Sequence, residues 1–402
     1  FIILTEPALM PSAGGRPMLC YEQLLDAAPG RYEWPSFDER TAASLCYTSG
    51  TTGQPKGVLY SHRSTLLHAL VSLQADCFGL RSVDAVLPIV PMFHVHAWSM
   101  PYGCAMAGAK MVLPGNHVDA SSLVELIQSE QVTMALGVPT VWSMLVNHLR
   151  DSGQSLPSLQ RAVVGGAALP PAIRDALEQC SGARVIHAWG MTETSPTGAV
   201  ATTTANLERL SADERRAELL KQGRPPWGVE LKITNPEGEP LPADGSSSGQ
   251  LRIRGPWIAR SYFRRGRERV LDDDGWFPTG DVASRDPHGF IKISDRTKDV
   301  IKSGGEWISS IDIENIATTH PQIKFAAAIA AEHLKWGERP ILIVVPTDGS
   351  ALTAEELLEF LRPRMAKWWL PDAVIFVSEL PLTATGKVLK SSLRAAYREF
   401  LL

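Results

Sequence analysis

Short apolar runs recur along most of this chain, separated by segments whose apolar residues return at helical spacing. Residues 42–46 read as a strand, as do 85–93, 110–113, 132–138, 162–164 and 184–188. Segments 121–130, 139–150 and 170–180 read as the helices between them. Ser61 is placed to cap a helix through Leu66, Leu67, Leu70 and Leu73, a leucine set with helical periodicity. Strands alternating with helices of this length predict a parallel, wound α/β sheet. From about Gly223 the texture changes to glycine, proline and period-two alternation, as in Leu251 and Ile253 or Ile291 and Ile293. That pattern predicts a smaller antiparallel or barrel-like piece over 223–295. Beyond Asp295 helix and strand alternate again. Segments 309–320 and 353–365 read as helices, the second with a capping box of Thr353 and Glu356, and 325–331, 341–345 and 374–377 as strands. This last part is a small α+β unit joined at 295–298.

Composition narrows the class. The 402 residues are 44% hydrophobic and 20% charged, with a formal net charge of −4. Such a chain builds ordinary globular cores and lacks the basic excess of a nucleic-acid surface. No apolar run reaches the roughly 18 residues of a membrane span. Its five cysteines, at 20, 46, 77, 104 and 180, are scattered without a CxxC spacing. They read as small buried apolar residues in a reducing cytoplasm, not as metal knuckles or a disulfide framework.

One stretch carries chemistry. Residues 47–57, YTSGTTGQPKG, hold three glycines, four Ser/Thr hydroxyls and one lysine directly after a predicted strand. Such a loop bends tightly, lets its backbone approach an anion and offers many donors, which a polyphosphate needs. It is not a Walker A loop, because no Gly-Lys-Ser/Thr closes it. The stretch resembles the phosphate-binding signature of the adenylate-forming superfamily, which includes acyl-CoA synthetases, luciferases and peptide-synthetase adenylation domains.

Six further segments match that superfamily in order. In 90–98, the resemblance implies that His94 closes over a carboxylate substrate and that Trp98 stands at the mouth of an acyl tunnel. In 163–169 it makes Gly165, Gly166 and Ala167 a wall shared by adenine and acyl pockets. In 188–194 it lays Trp189 against adenine, where relatives more often have Tyr. Gly190 and Met191 follow beside the nucleotide, Thr192 meets a phosphate and Glu193 holds Mg²⁺. In 276–281 it sets Asp281 on the ribose hydroxyls. In 295–309 it makes Arg296 and Lys302 nucleotide contacts, Lys298 a hinge, and Gly304, Gly305, Glu306 and Trp307 a CoA-facing segment. In 381–387 it makes Lys387 the lysine bridging substrate carboxylate and α-phosphate.

What the resemblance implies is an activation in two steps. Thr48, Ser49, Gly50, Thr51, Thr52, Gly53 and Lys56 hold the β- and γ-phosphates of ATP while a carboxylate attacks the α-phosphorus. Pyrophosphate leaves, and the acyl group then passes from AMP to CoA. The run around Lys302 and Trp307 looks most like that of medium- and long-chain fatty acyl-CoA synthetases. An aryl- or other carboxylate–CoA ligase and an inactive binding remnant are the alternatives. By the same likeness, 1–295 forms a nucleotide-binding domain, 296–298 its hinge and 299–402 a mobile C-terminal domain. Relatives usually carry a much longer segment before the phosphate loop, so the chain reads as N-terminally truncated. Homodimers are common among relatives, and attachment to a membrane surface is an alternative to a free cytoplasmic enzyme.

Overall fold

Strands that are apolar on both faces need cover on both, and the central sheet of the molecule is built that way. The computed structural model describes residues 1–12, 14–48, 55–265, 270–304, 306–383 and 388–402. Its central sheet runs Thr197–Ala201, Arg184–Gly190, Arg161–Gly165, Met134–Gly137, Ala85–Pro88, Lys110–Met111. Neighbours are parallel except the first pair, which is antiparallel. Alternate side chains leave on opposite faces. Leu87, Ala135, Val164 and Val185 join a core with Leu123, Ile127, Trp142, Leu145 and Leu177 from helices Ala120–Ser129, Pro139–Ser152 and Pro171–Ser181. Val86, Met134, Leu136, Val163 and Ile186 join a second core on the other side.

That second core is shared with the β-rich segment, and here the barrel-like expectation is corrected. Glu230–Thr234, Ser248–Arg254, Phe277–Arg285 and Ile291–Arg296 form an open, four-stranded antiparallel sheet with no closure. Its inward residues, Leu231, Ile233, Leu251, Ile253, Phe277 and Ile293, pack with the wound sheet instead of around an axis of their own. Burial against a neighbouring layer satisfies the apolar face that closure would otherwise have to hide.

Ser61 does cap helix His62–Ser72, accepting from the Ser64 amide at 3.1 Å in a reciprocal box with Ser64. Only half of the leucine stripe turns inward: Leu67 and Leu73 pack, half-buried, against the core. The helix's buried residues are Thr65, His68, Ala69, Val71 and Ser72, whereas Leu66 and Leu70 are each about half exposed.

The small domain at the C-terminal end is a five-stranded sheet. Glu306–Ile308, Ile301–Ser303, Gly337–Pro346 and Ile323–His333 run antiparallel, and Ala373–Phe376 adds to Gly337–Pro346 in parallel. Helices Ser310–Ala317 and Ala354–Leu361 cover one face and Lys390–Tyr397 the other. The Thr353–Glu356 capping box is present. Residues Phe1–Thr41 make a separate unit with a parallel pair, Ile2–Ile3 and Leu19–Cys20, and helix Tyr21–Asp26. No helix among the described residues is long and apolar enough to cross a membrane.

Candidate active site

The carboxyl ends of parallel strands collect loops that can surround a ligand, and His94, Trp98, Gly165 to Ala167 and Trp189 to Glu193 lie at or beyond such ends. Gly165 ends strand Arg161–Gly165, paired with Ala188 of the next strand. A methyl group on Gly165 would sit 3.0 Å from the Trp98 ring, so the two are in direct contact. Gly166 (φ +85°) and Ala167 follow. Trp98 itself is buried and belongs to an unusual segment: Val95, His96, Ala97, Trp98 and Ser99 all have φ between 48° and 62°. A left-handed turn of non-glycine residues is disfavoured, and it persists only where surroundings over-determine it. Here Ser99 Oγ donates to the Ser195 carbonyl at 2.9 Å, and His96 Nε2 lies 3.4 Å from Cys46 Sγ. Burial lowers the His96 pKa and raises that of the Cys46 thiol. His94, half-buried, enters this turn, its amide donating to the Pro91 carbonyl at 3.0 Å.

The phosphate loop joins strands Ala42–Thr48 and Lys56–Ser61, an antiparallel pair in which Thr48 faces Lys56. Ser49, Gly50, Thr51, Thr52 and Gly53 lie outside the described residues. Tyr60 donates its hydroxyl to the Thr192 carbonyl at 2.6 Å, fastening the hairpin to the turn that carries Thr192 and Glu193. Burial pushes the Tyr60 phenol well above its ordinary pKa, so it stays a donor. Glu193, buried, accepts from the Tyr262 hydroxyl at 2.7 Å, and Lys56 Nζ stands 4.8 Å from the centre of the Tyr262 ring. The chain after Tyr262 is tied to the same hairpin, with the Phe263 amide donating to the Gly57 carbonyl at 2.8 Å. A lysine, a carboxylate and two phenol hydroxyls are thus linked through the hairpin that flanks the loop.

Trp189, Gly190 and Met191 form the end of strand Arg184–Gly190 and the residue beyond it. One face of the Trp189 ring rests on Gly198, where a methyl would lie 2.4 Å from the ring. Its Nε1 donates to Asp281 Oδ2 at 3.1 Å, and Arg296 Nε pairs with Asp281 Oδ1 at 3.0 Å. Asp281 and Arg296 are cross-strand partners, so the sheet register itself sets this pair opposite each other.

The C-terminal residues form a second cluster. Lys302 pairs across the strands with Trp307, and Ser303 with Glu306. The Trp336 ring lies over Gly304, whose amide donates to the Trp336 carbonyl at 2.9 Å. Gly305 and Lys387 lie outside the described residues. Lys298 sits in an exposed turn. On either side of that turn the chain is fastened to itself. The Ser310 amide donates to Asp295 Oδ2 at 2.7 Å and Ser309 Oγ to the Ser294 carbonyl at 2.5 Å. Lys390, enclosed, reaches Glu314 Oε1 at 2.6 Å and Ser310 Oγ at 2.5 Å. Burial alone would lower the Lys390 pKa; the Glu314 and Asp295 carboxylates carry it upward instead.

Comparison with known proteins shows the family. A family model described as AMP-binding enzyme matches residues 9–263, and one described as AMP-binding enzyme C-terminal domain matches 312–387. The chain belongs to the AMP-binding enzyme family. It is 51% identical over 381 residues to 3-methylmercaptopropionyl-CoA ligase of Ruegeria lacuscaerulensis, covering 95% of this chain and 70% of that protein. It is 50% identical over 402 residues to medium-chain-fatty-acid–CoA ligase of Ectopseudomonas oleovorans, covering 100% and 73%. Identity to long-chain-fatty-acid–CoA ligase of Thermus thermophilus is 45% over 385 residues, covering 95% and 70%. Among solved structures, ATP-bound MatB from Rhodopseudomonas palustris superposes with a TM-score of 0.83 at 26% identity, over 96% of this chain and 75% of that one. The curated relatives of this AMP-binding enzyme named here are acid–CoA ligases.

Three residues of this AMP-binding enzyme escaped the sequence reading. Tyr262 and Tyr60 bind Glu193 and the Thr192 carbonyl, and Trp336 covers Gly304. Tyr60 stands just before the Ser61 cap on the strand leaving the phosphate loop, which was a usable signal. Nothing local marks Tyr262, 69 residues from its partner. A magnesium ion fits this donor set. Among the described residues no three carboxylate, histidine or cysteine groups converge on one point. Mg²⁺ is commonly held by one or two carboxylates and substrate phosphates, a role open to Glu193 alone.

Proposed function

We propose that the protein activates a medium- or long-chain fatty acid with ATP, releasing pyrophosphate, and transfers the acyl group from AMP to CoA. The convergence of Lys56, Tyr262 and Glu193 beside the phosphate loop carries this reading. A carboxylate is a poor acylating agent because oxide would have to leave; exchange for AMP supplies a good leaving group. Charge grows on the nonbridging phosphate oxygens as the carboxylate attacks, so catalysis is positioning and electrostatic stabilisation. Lys56, the loop hydroxyls and Thr192 hold the phosphates, and Lys387 meets the carboxylate and α-phosphate. Glu193 would hold Mg²⁺, which when bound offsets phosphate charge. His94 closes over the acid. Trp189, Asp281 and Arg296 take the nucleoside, and Lys302, opposite Trp307 in the small domain's sheet, is a nucleotide contact from that domain.

For the second step the small domain swings about Lys298, withdrawing Lys387 and presenting Gly304, Gly305, Glu306 and Trp307 to CoA. A thiol of pKa about 8.5 already supplies some thiolate at neutral pH, so a dedicated base is not required. The contact of Trp98 with Gly165 sets the acyl wall, and names of relatives at 45–50% identity support a fatty acid. A second reading, a short thioether acid, is favoured by the 51% identity to a 3-methylmercaptopropionyl-CoA ligase.

The test is pyrophosphate release with Mg²⁺-ATP and hydroxylamine trapping, using straight-chain acids from acetate to palmitate and 3-(methylthio)propionate, followed by CoA consumption. Release that climbs through octanoate and beyond supports the fatty-acid reading. A maximum at the thioether acid moves the enzyme to that class, and silence with every acid sinks adenylation.

A further inference from the structure

We propose that Trp189 is a positioning residue for Asp281: its indole N–H orients the carboxylate that meets the ribose, so one side chain governs both base stacking and sugar recognition. The inference rests on the adenylation reading and deepens it. Three observations carry it. The Trp189 ring is backed by Gly198, where a methyl would lie 2.4 Å away, so the ring cannot swing toward that strand. Its edge is aimed at Asp281, with Nε1 at 3.1 Å from Oδ2. The other oxygen, Oδ1, takes Arg296 Nε at 3.0 Å.

Asp281 is therefore fixed from several directions. Its own amide donates to Thr279 Oγ1 at 3.1 Å, and that hydroxyl donates to the Leu251 carbonyl at 2.9 Å. A carboxylate oxygen has two acceptor directions. The indole and the guanidinium each take one direction, one on either oxygen. A ribose diol that donates to this carboxylate meets it in the orientation these contacts set. Holding the carboxylate in place beforehand removes its rotational freedom as a cost of binding. A phenyl ring at 189 offers the same π face to a base but no donor at Oδ2, so it would stack while holding the Asp281 carboxylate less firmly.

The experiment titrates AMP, 2′-deoxy-AMP and 3′-deoxy-AMP calorimetrically into the wild-type protein, Trp189→Phe, Asp281→Asn and the double variant. Pyrophosphate release from ATP and 2′-deoxy-ATP is followed in parallel. A hydrogen bond to a charged group is worth enough that Trp189→Phe should narrow the preference for AMP over the deoxy nucleotides by about tenfold. The double variant should be no less selective than Asp281→Asn alone, because both changes remove one contact. Uniform weakening of all three nucleotides in Trp189→Phe, or additive losses in the double variant, overturns the orienting role. Should Trp189→Phe fail to fold, Trp189→3-benzothienylalanine serves: it keeps the bicyclic face, has no N–H and must narrow the same preference. Failure of the wild-type protein to bind AMP or ATP overturns the adenylation reading and this inference together. Binding with an unmoved preference in the variants overturns this inference alone.

Discussion

The Tyr262 hydroxyl donates to Glu193 Oε1 at 2.7 Å, and the same ring carries the Lys56 ammonium at 4.8 Å from its centre. One side chain thereby sets the spacing between a cation and a carboxylate. Tyr262→Phe keeps the ring under Lys56 and removes only the donor to Glu193. A hydrogen bond to a charged partner contributes about 1.5–3 kcal/mol, so adenylation efficiency should fall roughly tenfold and the Mg²⁺ requirement should rise. A magnesium titration of pyrophosphate release decides it, and a variant that titrates like the wild type removes Tyr262 from the site.

Gly165 should police chain length. A methyl there would lie 3.0 Å from the Trp98 ring, tighter than ordinary contact, so Gly165→Ala must push the indole into whatever space the acyl chain uses. One methylene of lost room is worth about 10–200-fold in selectivity. Relative kcat/KM for palmitate over butyrate should drop at least tenfold, and an unchanged acid series would place the chain elsewhere.

The turn at Lys298 lies between contacts that tie strand Ile291–Arg296 to helix Ser310–Ala317. These are the Asp295–Ser310 and Ser294–Ser309 hydrogen bonds and the Lys292–Asp312 pair at 3.1 Å. A rotation about Lys298 must undo them. Proline at 298 fixes φ and removes the N–H. Lys298→Pro should therefore leave acyl-AMP formation in place while thioester formation falls by roughly 10²-fold, a loss that misplacement of about 1 Å can cause. Equal loss of both half-reactions, measured by pyrophosphate release and CoA consumption, counts against a hinge at this position.

His68 supplies a pH test of stability. It is fully enclosed, packs edge-on against Trp257 at 5.9 Å, and accepts from the Thr197 amide at 3.1 Å. Burial drops its pKa from 6.5 to about 3. Because the folded pKa lies below the unfolded one, the unfolded chain takes up the proton first, and stability falls as pH drops below 6.5. At pH 5 the loss from this group is about 2 kcal/mol. Burial depresses His187 in the same direction. Denaturant unfolding at pH 7.5 and 5.0 should show the loss, and His68→Gln should shrink it by about 2 kcal/mol. An unaltered pH difference in that variant assigns the effect to other groups.

Much of the fold was legible because its signals are local. The parallel strands announced themselves as apolar runs, and Thr353 with Glu356 as a cap. The phosphate loop and the Thr192–Glu193 turn were legible as motifs, although nothing in the motif spelled out Tyr262. What stayed hidden depends on distant partners. Leu66 and Leu70 have helical spacing, but the helix turns Thr65, His68 and Ala69 inward, a choice made by its neighbours in space. The β-rich sheet stays open because the wound sheet buries its apolar face, which period-two alternation alone cannot report. The left-handed run at 95–99 has no glycine to betray it.

That run has a further consequence for how the protein fails. Five successive left-handed residues, Val95 to Ser99, cost about 1–2 kcal/mol each relative to ordinary backbone. Their order is imposed by packing around Val95, Ala97 and Trp98 and by the Ser99–Ser195 hydrogen bond. A segment that its neighbours hold in a costly conformation has little margin of its own. This corner, which faces the acid in the function proposed above, is thus the expected thermal fuse of the molecule: it should lose its shape, and with it the choice of acid, at temperatures where far-ultraviolet dichroism still reports a folded chain.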